Sequence, residues 1–218
     1  KYSRDAYRFI RLMMNYVVLH RAKYLSTNSA YLFSMLRKRH RKKARITPNF
    51  YPDTLLLESS SRSDKSNFIL SVCNGFSRWK NIPGALRAFS MVRKTRPDIE
   101  YHLVGDGMQT GGPAHVHAVK NRISEGVRFI GRLPYSDLID KLKEALVLLH
   151  PSRTESFGMA PLEAMVLGTP VIGGYNSGNV PLLLDKGNAG ILCDIDSPED
   201  IAKGVLKILA DDKLAESL

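Results

Sequence analysis

Residues 145–163 read ALVLLHPSRTESFGMAPLE, and this stretch decides the fold. Ala145–Leu149 is wholly apolar and is stopped by His150 and Pro151, which is typical of a central strand in a parallel sheet that is covered on both faces. After the loop, the apolar residues between Met159 and Leu167 predict a helix. The stretch is therefore predicted to be a strand–loop–helix unit, the repeating element of α/β proteins.

The same alternation of short β-rich runs and helical segments extends over residues 67–218. The other predicted strands are Phe68–Cys73, Ile99–Val104, Val127–Ile130, Thr169–Ile172 and Gly190–Leu192. The other predicted helices are Ile82–Lys94, Ala114–Ile123, Tyr135–Glu144, Val180–Asp185 and Pro198–Ala210. The pattern predicts an α/β domain built on a Rossmann-like parallel sheet of about six strands, with helices on both faces.

The start of the chain does not continue this pattern. Its predicted elements are two basic amphipathic helices, Arg4–Leu19 and Ala30–Arg41, and two short strands, Lys23–Thr27 and Ala44–Thr47. We interpret residues 1–47 as the remnant of an N-terminal domain. Residues 48–66 contain two prolines four positions apart and a serine-rich stretch, Glu58–Ser66, which is typical of a linker followed by a surface loop.

The net charge of +11 is concentrated in the first fifty residues. They hold 13 Lys or Arg against one acidic residue, Asp5, whereas the rest of the chain holds 19 basic and 20 acidic residues. Two interpretations of this segment stay open: peripheral binding to an anionic membrane, or helix faces that pack on the rest of the N-terminal domain. We expect no nucleic-acid partner, because the segment has no stacking aromatic platform or binding motif.

Hydropathy and cysteine usage indicate a cytoplasmic protein, with the inner face of the membrane as the alternative location. The longest apolar run, Ala145–Leu149, is far shorter than the ~20 residues that span a bilayer. Cys73 and Cys193 each lie in an apolar stretch and lack a partner at metal-ligand spacing. We therefore expect both to be buried in the core, which suits a reducing compartment.

Two glutamates fall in the strand–loop–helix unit, Glu155 in the loop and Glu163 in the first turns of the helix. Ligands of open parallel sheets bind beyond the carboxyl ends of the strands. Gly158 allows a phosphate to approach the backbone where the helix N-terminus presents free N–H groups. Both glutamates can therefore face one crevice. The residues alone leave another interpretation open, in which Glu163 complements the helix dipole and Glu155 is a solvated acid.

The frame around these glutamates resembles a known family. Glu155 and Glu163 stand in the pattern E-S-F-G-x-x-x-L-E-A, which GTPV at 168–171 and SGNVP at 177–181 follow. Further matches are ITPN at 46–49, residues 75–81, LVGDG at 103–107, FIGRLP at 129–134 and NAGIL at 188–192. Over residues 44–210 the chain resembles the C-terminal, donor-binding domain of retaining nucleotide-sugar glycosyltransferases of the GT-B fold, the glycosyl transferases group 1 or family 4 type.

The resemblance implies a role for each residue of the site. Lys80 and Arg78 would bind the donor diphosphate, and Glu155 would contact the donor sugar or the positive charge that develops at its anomeric carbon. Glu163 would accept hydrogen bonds from the ribose hydroxyls. The remaining donor-binding positions are Gly75 in the first loop, Phe157, Gly158, Met159 and Ala160 on the phosphates, and Arg132 with Leu133 beside the base. Arg132 is interpreted equally well as a surface residue.

The chain departs from the family at the diphosphate arginine. Phe76 stands where members usually carry it, and Arg78 is the nearest substitute. We expect no metal and no cofactor, because cationic side chains beside the phosphates neutralise the leaving group. Asp194 and Asp196 have the spacing of a metal-binding pair, but they follow the last strand and are interpreted as solvated acids near a helix start.

Two further motifs are given structural interpretations. Gly105-Asp-Gly107 lacks the third glycine of a dinucleotide fingerprint, since Thr110 stands there, and is predicted to be a tight turn beside the site. His150 is expected to be a core or rim histidine with its hydrogen bonds satisfied, in preference to a catalytic residue.

The resemblance implies metal-independent transfer of a hexose, with retention, from a UDP-, GDP- or ADP-sugar to an acceptor hydroxyl. The acceptor would be a glycan or a lipid-linked molecule bound through the N-terminal domain. Because most of that domain is expected to lie outside these residues, the chain is predicted to be inactive alone. The alternatives are a noncatalytic nucleotide-sugar-binding module and a nucleotide-sugar epimerase of the same fold. A glycogen-type phosphorylase would need a pyridoxal-phosphate lysine environment, which is not identifiable.

Overall fold

The computed structural model describes residues 4–58 and 65–218, and the chain divides into two compact units between Asn49 and Phe50. The first unit holds α1 (Arg4–Arg21), β1 (Leu25–Thr27), α2 (Ala30–Met35), α3 (Lys38–Arg41) and β2 (Ala44–Ile46). Its two short strands pair in parallel, with Leu25 opposite Ala44. Along α1, apolar side chains such as Phe9, Leu12 and Met14 are exposed.

The single helix predicted over Ala30–Arg41 is wrong, since α2 and α3 are separate. Leu36 and Arg37 leave the helical conformation, with ψ angles of 141° and 148°. The Arg41 guanidinium donates hydrogen bonds to the carbonyl oxygens of Ser34 and Leu36. In a continuous helix these carbonyls would bond to backbone N–H groups four residues on, so Arg41 caps the end of α2 instead.

The second unit alternates strands and helices along the chain. A 3-10 helix, Asp53–Glu58, precedes the strands β3 (Ser66–Val72), β4 (Glu100–Val104), β5 (Val127–Gly131), β6 (Ala145–Leu149), β7 (Val171–Gly174) and β8 (Ile191–Cys193). The helices are α4 (Ile82–Thr95), α5 (Pro113–Lys120), α6 (Tyr135–Glu144), α7 (Met159–Val166), α8 (Val180–Leu183), α9 (Pro198–Ala210) and α10 (Asp212–Ser217), with a 3-10 turn at Asp185–Gly187.

The six strands β3–β8 form one parallel sheet in the order β5-β4-β3-β6-β7-β8. One core cluster packs α4, α5, α9 and α10 on one face, and a second packs α6, α7 and α8 on the other. The predicted fold class, a Rossmann-like α/β sheet with helices on both faces, is confirmed. Chain order reverses between β3 and β6, which are neighbours at the centre of the sheet.

Successive side chains of a central strand point to opposite faces of the sheet, and apolar residues at both sets of positions explain why helices cover both faces. In β3, Ile69 packs into the α4 cluster, whereas Phe68 and Leu70 pack into the α7 cluster. Cys73 and Cys193 are buried as expected, and burial raises the pKa of each thiol to about 12.

Some segments differ from the sequence interpretation. Leu55, in the 3-10 helix, lies within the segment interpreted as a linker, yet it is buried in the α7 cluster. Helix α10 has no counterpart among the predicted elements. Residues 59–64 of the predicted serine-rich loop lie outside the described part of the chain. Within the described residues, no helix is both long and apolar enough to span a bilayer.

Candidate functional site

A cavity of about 230 Å³ opens where the chain order of the sheet reverses. The loop after β3 leads to α4 on one face, and the loop after β6 leads to α7 on the other, so the two loops diverge and leave a crevice between them. Such switch points are where open parallel sheets bind ligands. The cavity is lined by Val72 at the end of β3, by Asn74 and Lys80 in the loop after it, and, after β6, by His150, Glu155, Gly158, Met159, Ala160 and Glu163.

Lys80 and Glu155 form an ion pair in this cavity. The Lys80 ammonium donates a hydrogen bond to Glu155 Oε1 at 2.5 Å, although the two residues are 75 positions apart. Their side chains are 26% and 18% exposed, so the pair is only partly screened by water. Burial raises the pKa of Glu155, but the contacts with His150 and Lys80 outweigh it and bring the pKa down to about 2. Glu155 is therefore ionised at neutral pH.

His150 is a buried side chain on the cavity wall. Its Nε2 lies 3.4 Å from Glu155 Oε1, which is too long for a good hydrogen bond, and the contact is an ion pair only when the imidazole is protonated. Within the described residues, neither ring nitrogen has a hydrogen-bond partner, although the side chain is only 5% exposed. Burial is as expected, but the expectation of satisfied hydrogen bonds is wrong, because the ring faces the cavity.

The N-terminus of α7 also opens into the cavity. Gly158 is the N-cap residue and has φ +101°, in the region that favours glycine. This backbone turn directs the chain from the Glu155 loop into the helix. The first N–H groups of α7, which carry the positive end of the helix dipole, can therefore meet an anion.

Glu163 is the second carboxyl group of the cavity. It lies on α7 and is 8% exposed, and Tyr135 at the start of α6 donates a hydrogen bond to its Oε1 at 3.2 Å. Burial raises the pKa of Glu163 above its ordinary value, and the Tyr135 hydrogen bond offsets part of this increase. Tyr135 is a site residue that the sequence analysis treated only as the start of a helix.

The SGNVP motif holds the Glu155 loop in place. The Asn179 amide donates to Phe157 O at 3.1 Å, and its backbone N–H donates to Glu155 O at 3.0 Å. Ser177 Oγ donates to Ser152 O at 2.6 Å. A Cβ on Gly178 would lie 2.2 Å from Glu155 O, so only glycine allows this approach. The motif positions Glu155 without lining the cavity itself.

Arg78 lies apart from Lys80, although only Trp79 separates them. Its guanidinium carbon lies 4.8 Å from the centroid of the Trp79 ring. The side chain lines a neighbouring cavity on the other side of the loop. Arg153 holds this loop: its backbone N–H donates to Trp79 O at 2.8 Å, and its guanidinium donates to Arg78 O. The geometry brings Lys80 to the cavity at the switch point and leaves Arg78 outside it.

The other predicted binding residues lie around the cavity rather than in its wall. Gly75 donates its N–H to Asp106 O at 2.9 Å, which places the Gly105–Gly107 turn next to the site as expected. The Arg132 side chain is 75% exposed, and its Nη2 lies 3.3 Å from Asp106 Oδ2. Leu133 packs on the α7 cluster, and Phe157 is buried.

Asp194 and Asp196 do not converge on a common point. Asp194 Oδ1 accepts the Asp196 N–H at 3.0 Å, whereas Asp196 Oδ1 accepts a hydrogen bond from Arg153 Nε at 2.5 Å. The pair thus stabilises the turn before α9 and the loop that Arg153 holds.

Comparison with known proteins identifies the family. The model of the family described as glycosyl transferases group 1 matches residues 54–218. The chain belongs to this family. Among curated glycosyltransferases, an N-acetyl-alpha-D-glucosaminyl L-malate synthase from Bacillus anthracis is 29% identical over 170 residues, 78% of this chain and 43% of that protein. A D-inositol 3-phosphate glycosyltransferase from Corynebacterium jeikeium is 38% identical over 92 residues, 42% of this chain and 22% of that protein.

Solved glycosyltransferases share the fold. Sucrose-phosphate synthase from Thermosynechococcus elongatus superposes with a TM-score of 0.79 at 23% identity, covering 95% of this chain and 54% of that chain. The Anabaena HepE protein in complex with UDP and glucose superposes with a TM-score of 0.77 at 18% identity, covering 95% and 58%. The chain therefore has the architecture of GT-B glycosyltransferases and spans about half the length of these proteins or less.

Proposed function

We propose that the chain is the donor-binding half of a glycosyltransferase, and that the switch-point cavity holds a nucleoside diphosphate sugar. The observation that carries this proposal is the convergence of the Lys80 ammonium, the N-terminus of α7 and the buried carboxyl group of Glu163 in one crevice. The first two attract a diphosphate, and the third can accept hydrogen bonds from ribose hydroxyls. A UDP-bound relative of the same fold supports this choice.

In the proposed complex, Lys80 exchanges part of its contact with Glu155 for the diphosphate. The Glu155 carboxylate, ionised because its pKa is about 2, then faces the sugar, where it can stabilise positive charge at the anomeric carbon. The bond between that carbon and the β-phosphate oxygen breaks, and its electron pair goes to the phosphate. The acceptor oxygen bonds to the same face of the sugar and gives its proton to the leaving phosphate oxygen, so configuration is retained.

No metal is needed in this proposal. Lys80 and the first N–H groups of α7 supply positive charge where the leaving phosphate becomes more negative. We expect binding of a nucleoside diphosphate to persist in EDTA, as measured by calorimetry. A strong loss of affinity in chelator would contradict the metal-independent mechanism.

The acceptor, a glycan or a lipid-linked molecule, is proposed to bind to a separate N-terminal domain. Catalysis by positioning needs donor and acceptor in one cleft, so these 218 residues alone should bind nucleotide but transfer little or no sugar. Rapid transfer by this chain would contradict that division. Cytoplasmic location, and association of the basic first unit with the inner face of the membrane, stay predictions.

A thermal-shift panel of UDP, GDP, ADP and their sugars tests the proposal and identifies the base. A ligand at 100 times its Kd stabilises the folded chain by about 2.7 kcal/mol, which is readily measured. The Lys80→Met chain should lose most of the shift. The Lys203→Met chain, changed at an exposed position on α9, should keep it. Absence of a shift with every nucleotide would refute the proposed function.

A further inference from the structure

A second cavity lies behind the loop that carries Lys80. Its volume is about 350 Å³, against about 230 Å³ for the cavity at the switch point. The loop over residues 74–81 contributes to both. Asn74 and Lys80 line the first cavity, whereas Phe76, Ser77, Arg78 and Asn81 line the second. The second cavity is thus a separate feature, and the proposed function does not use it.

Its lining is strongly cationic. Arg78, Arg87 and Arg153 line it against a single carboxylate, Asp196, which Arg153 Nε contacts at 2.5 Å. Arg78 and Arg87 are exposed to solvent. The Arg78 guanidinium carbon also lies 4.8 Å from the centroid of the Trp79 ring, which is within the range of a cation–π contact. The planar donor arrays of arginines match the oxygens of a phosphate group.

Apolar residues form another part of the wall, beside Ser77, Asn81 and Gly84. Phe76 is partly buried against the α4 core cluster, with its ring centroid 5.6 Å from that of His117. Pro83 at the start of α4 and Pro198 at the start of α9 also line the cavity. A ligand that carries its charge at one end and carbon at the other fits this division better than a bare ion.

We propose that this second cavity binds a phosphate monoester, with the phosphate on Arg78 and Arg87 and the organic part against Phe76 and the prolines. The site goes beyond the proposed function, since it neither contains Lys80 nor requires a nucleotide. Its ligand chemistry is a phosphate dianion on a small organic molecule.

Calorimetry with glycerol 3-phosphate as the probe tests the site. The chain is titrated with and without saturating UDP, and we expect binding in both conditions. Arg87→Gln should weaken binding of the probe about tenfold or more, because one charge-assisted contact is lost, and should leave UDP binding unchanged. Lys94→Gln, at an exposed position on the same helix, is the matched control and should change neither.

Several outcomes would overturn the proposal. They are no binding of glycerol 3-phosphate, full displacement of it by UDP, and equal affinity in the Arg87→Gln chain. If inorganic phosphate binds as tightly as glycerol 3-phosphate, the assignment to a monoester is wrong. If Arg78→Gln weakens UDP but not the probe, Arg78 serves the nucleotide and the proposal fails. Absence of UDP binding alone refutes only the proposed function, since the titration without UDP still reports on the second cavity.

Discussion

Replacing Lys80 by methionine removes the charge that faces Glu155 and keeps most of the length of the side chain. Glu155 then remains partly buried, because its side chain is only 18% exposed, and His150 Nε2 still lies 3.4 Å from its Oε1. The pKa of Glu155, now about 2, should rise, since burial favours the neutral acid and one of the two opposing contacts is gone. Both folding stability and nucleotide binding should therefore respond.

The size of the effect follows from the pKa of Glu155. A pKa of about 2 against an ordinary 4.5 corresponds to about 3 kcal/mol in favour of the charged form in the folded chain. His150 and Lys80 share this stabilisation, and the partial exposure of both side chains reduces it. We therefore expect the Lys80→Met chain to lose about 1–2 kcal/mol of unfolding free energy at pH 7, within the range for one charge-assisted contact.

The pH dependence is specific to this mechanism. Because the pKa of Glu155 is lower in the folded chain than in the unfolded chain, its contribution to stability is complete above about pH 4.5 and is lost as the pH falls towards 2. Urea unfolding at pH 7, 5 and 3 should show the difference between wild type and Lys80→Met shrinking with acidity. Lys203→Met, exposed on α9, should match wild type at each pH.

Calorimetry on the same chains separates stability from binding. Lys80→Met should weaken the binding of UDP by one to a few kcal/mol, because the diphosphate loses a cationic partner. A stability difference that stays constant from pH 7 to pH 3 would refute the ion-pair reasoning. Unchanged UDP affinity would remove Lys80 from the nucleotide site.

Three further substitutions test the rest of the site. Glu163→Gln should raise the Tm at neutral pH, since burial makes the charged acid costly, and should weaken UDP binding about tenfold. The Tm difference from wild type should close as the pH falls below the raised pKa of Glu163. A lower Tm for the variant at pH 7 would contradict this reasoning. Gly158→Ala and the control Gly111→Ala should each cost about 1–2 kcal/mol at their positive φ, measured by urea unfolding. In calorimetry, Gly158→Ala should weaken UDP binding and Gly111→Ala should not. If both variants bind UDP with the same affinity, the turn at the start of α7 has no role in binding. Asn179→Ala should speed hydrogen exchange of residues 155–158 and weaken UDP binding, because the hydrogen bond from the Asn179 amide to Phe157 O is lost. Unchanged hydrogen exchange would contradict the role of Asn179 in positioning this loop.

The fold of the second unit could be predicted because its signals are local. Alternating apolar runs and helical periods placed Tyr135–Glu144, Ala145–Leu149 and Pro198–Ala210 at the bounds that the structure has. A fully apolar strand and an amphipathic helix each bury their apolar groups in few ways, so the burial pattern of the sequence already selects a covered parallel sheet. The positions of Glu155 and Glu163 relative to α7 follow from the same local order.

What the sequence could not predict depends on contacts between distant segments. Lys80 and Arg78 are equivalent cations in one short loop, and the contacts of Arg153, 75 residues from Arg78, fix the conformation that sends one to each cavity. The partner of Glu163 is Tyr135, 28 residues away on another helix. Whether the ring nitrogens of His150 find hydrogen-bond partners or face a cavity depends on which segments surround the ring. Only the packed structure shows which segments these are. Sequence periodicity fixes which face of an element is buried, whereas the direction of a loop side chain depends on hydrogen bonds that form only when remote loops meet at one edge of the sheet.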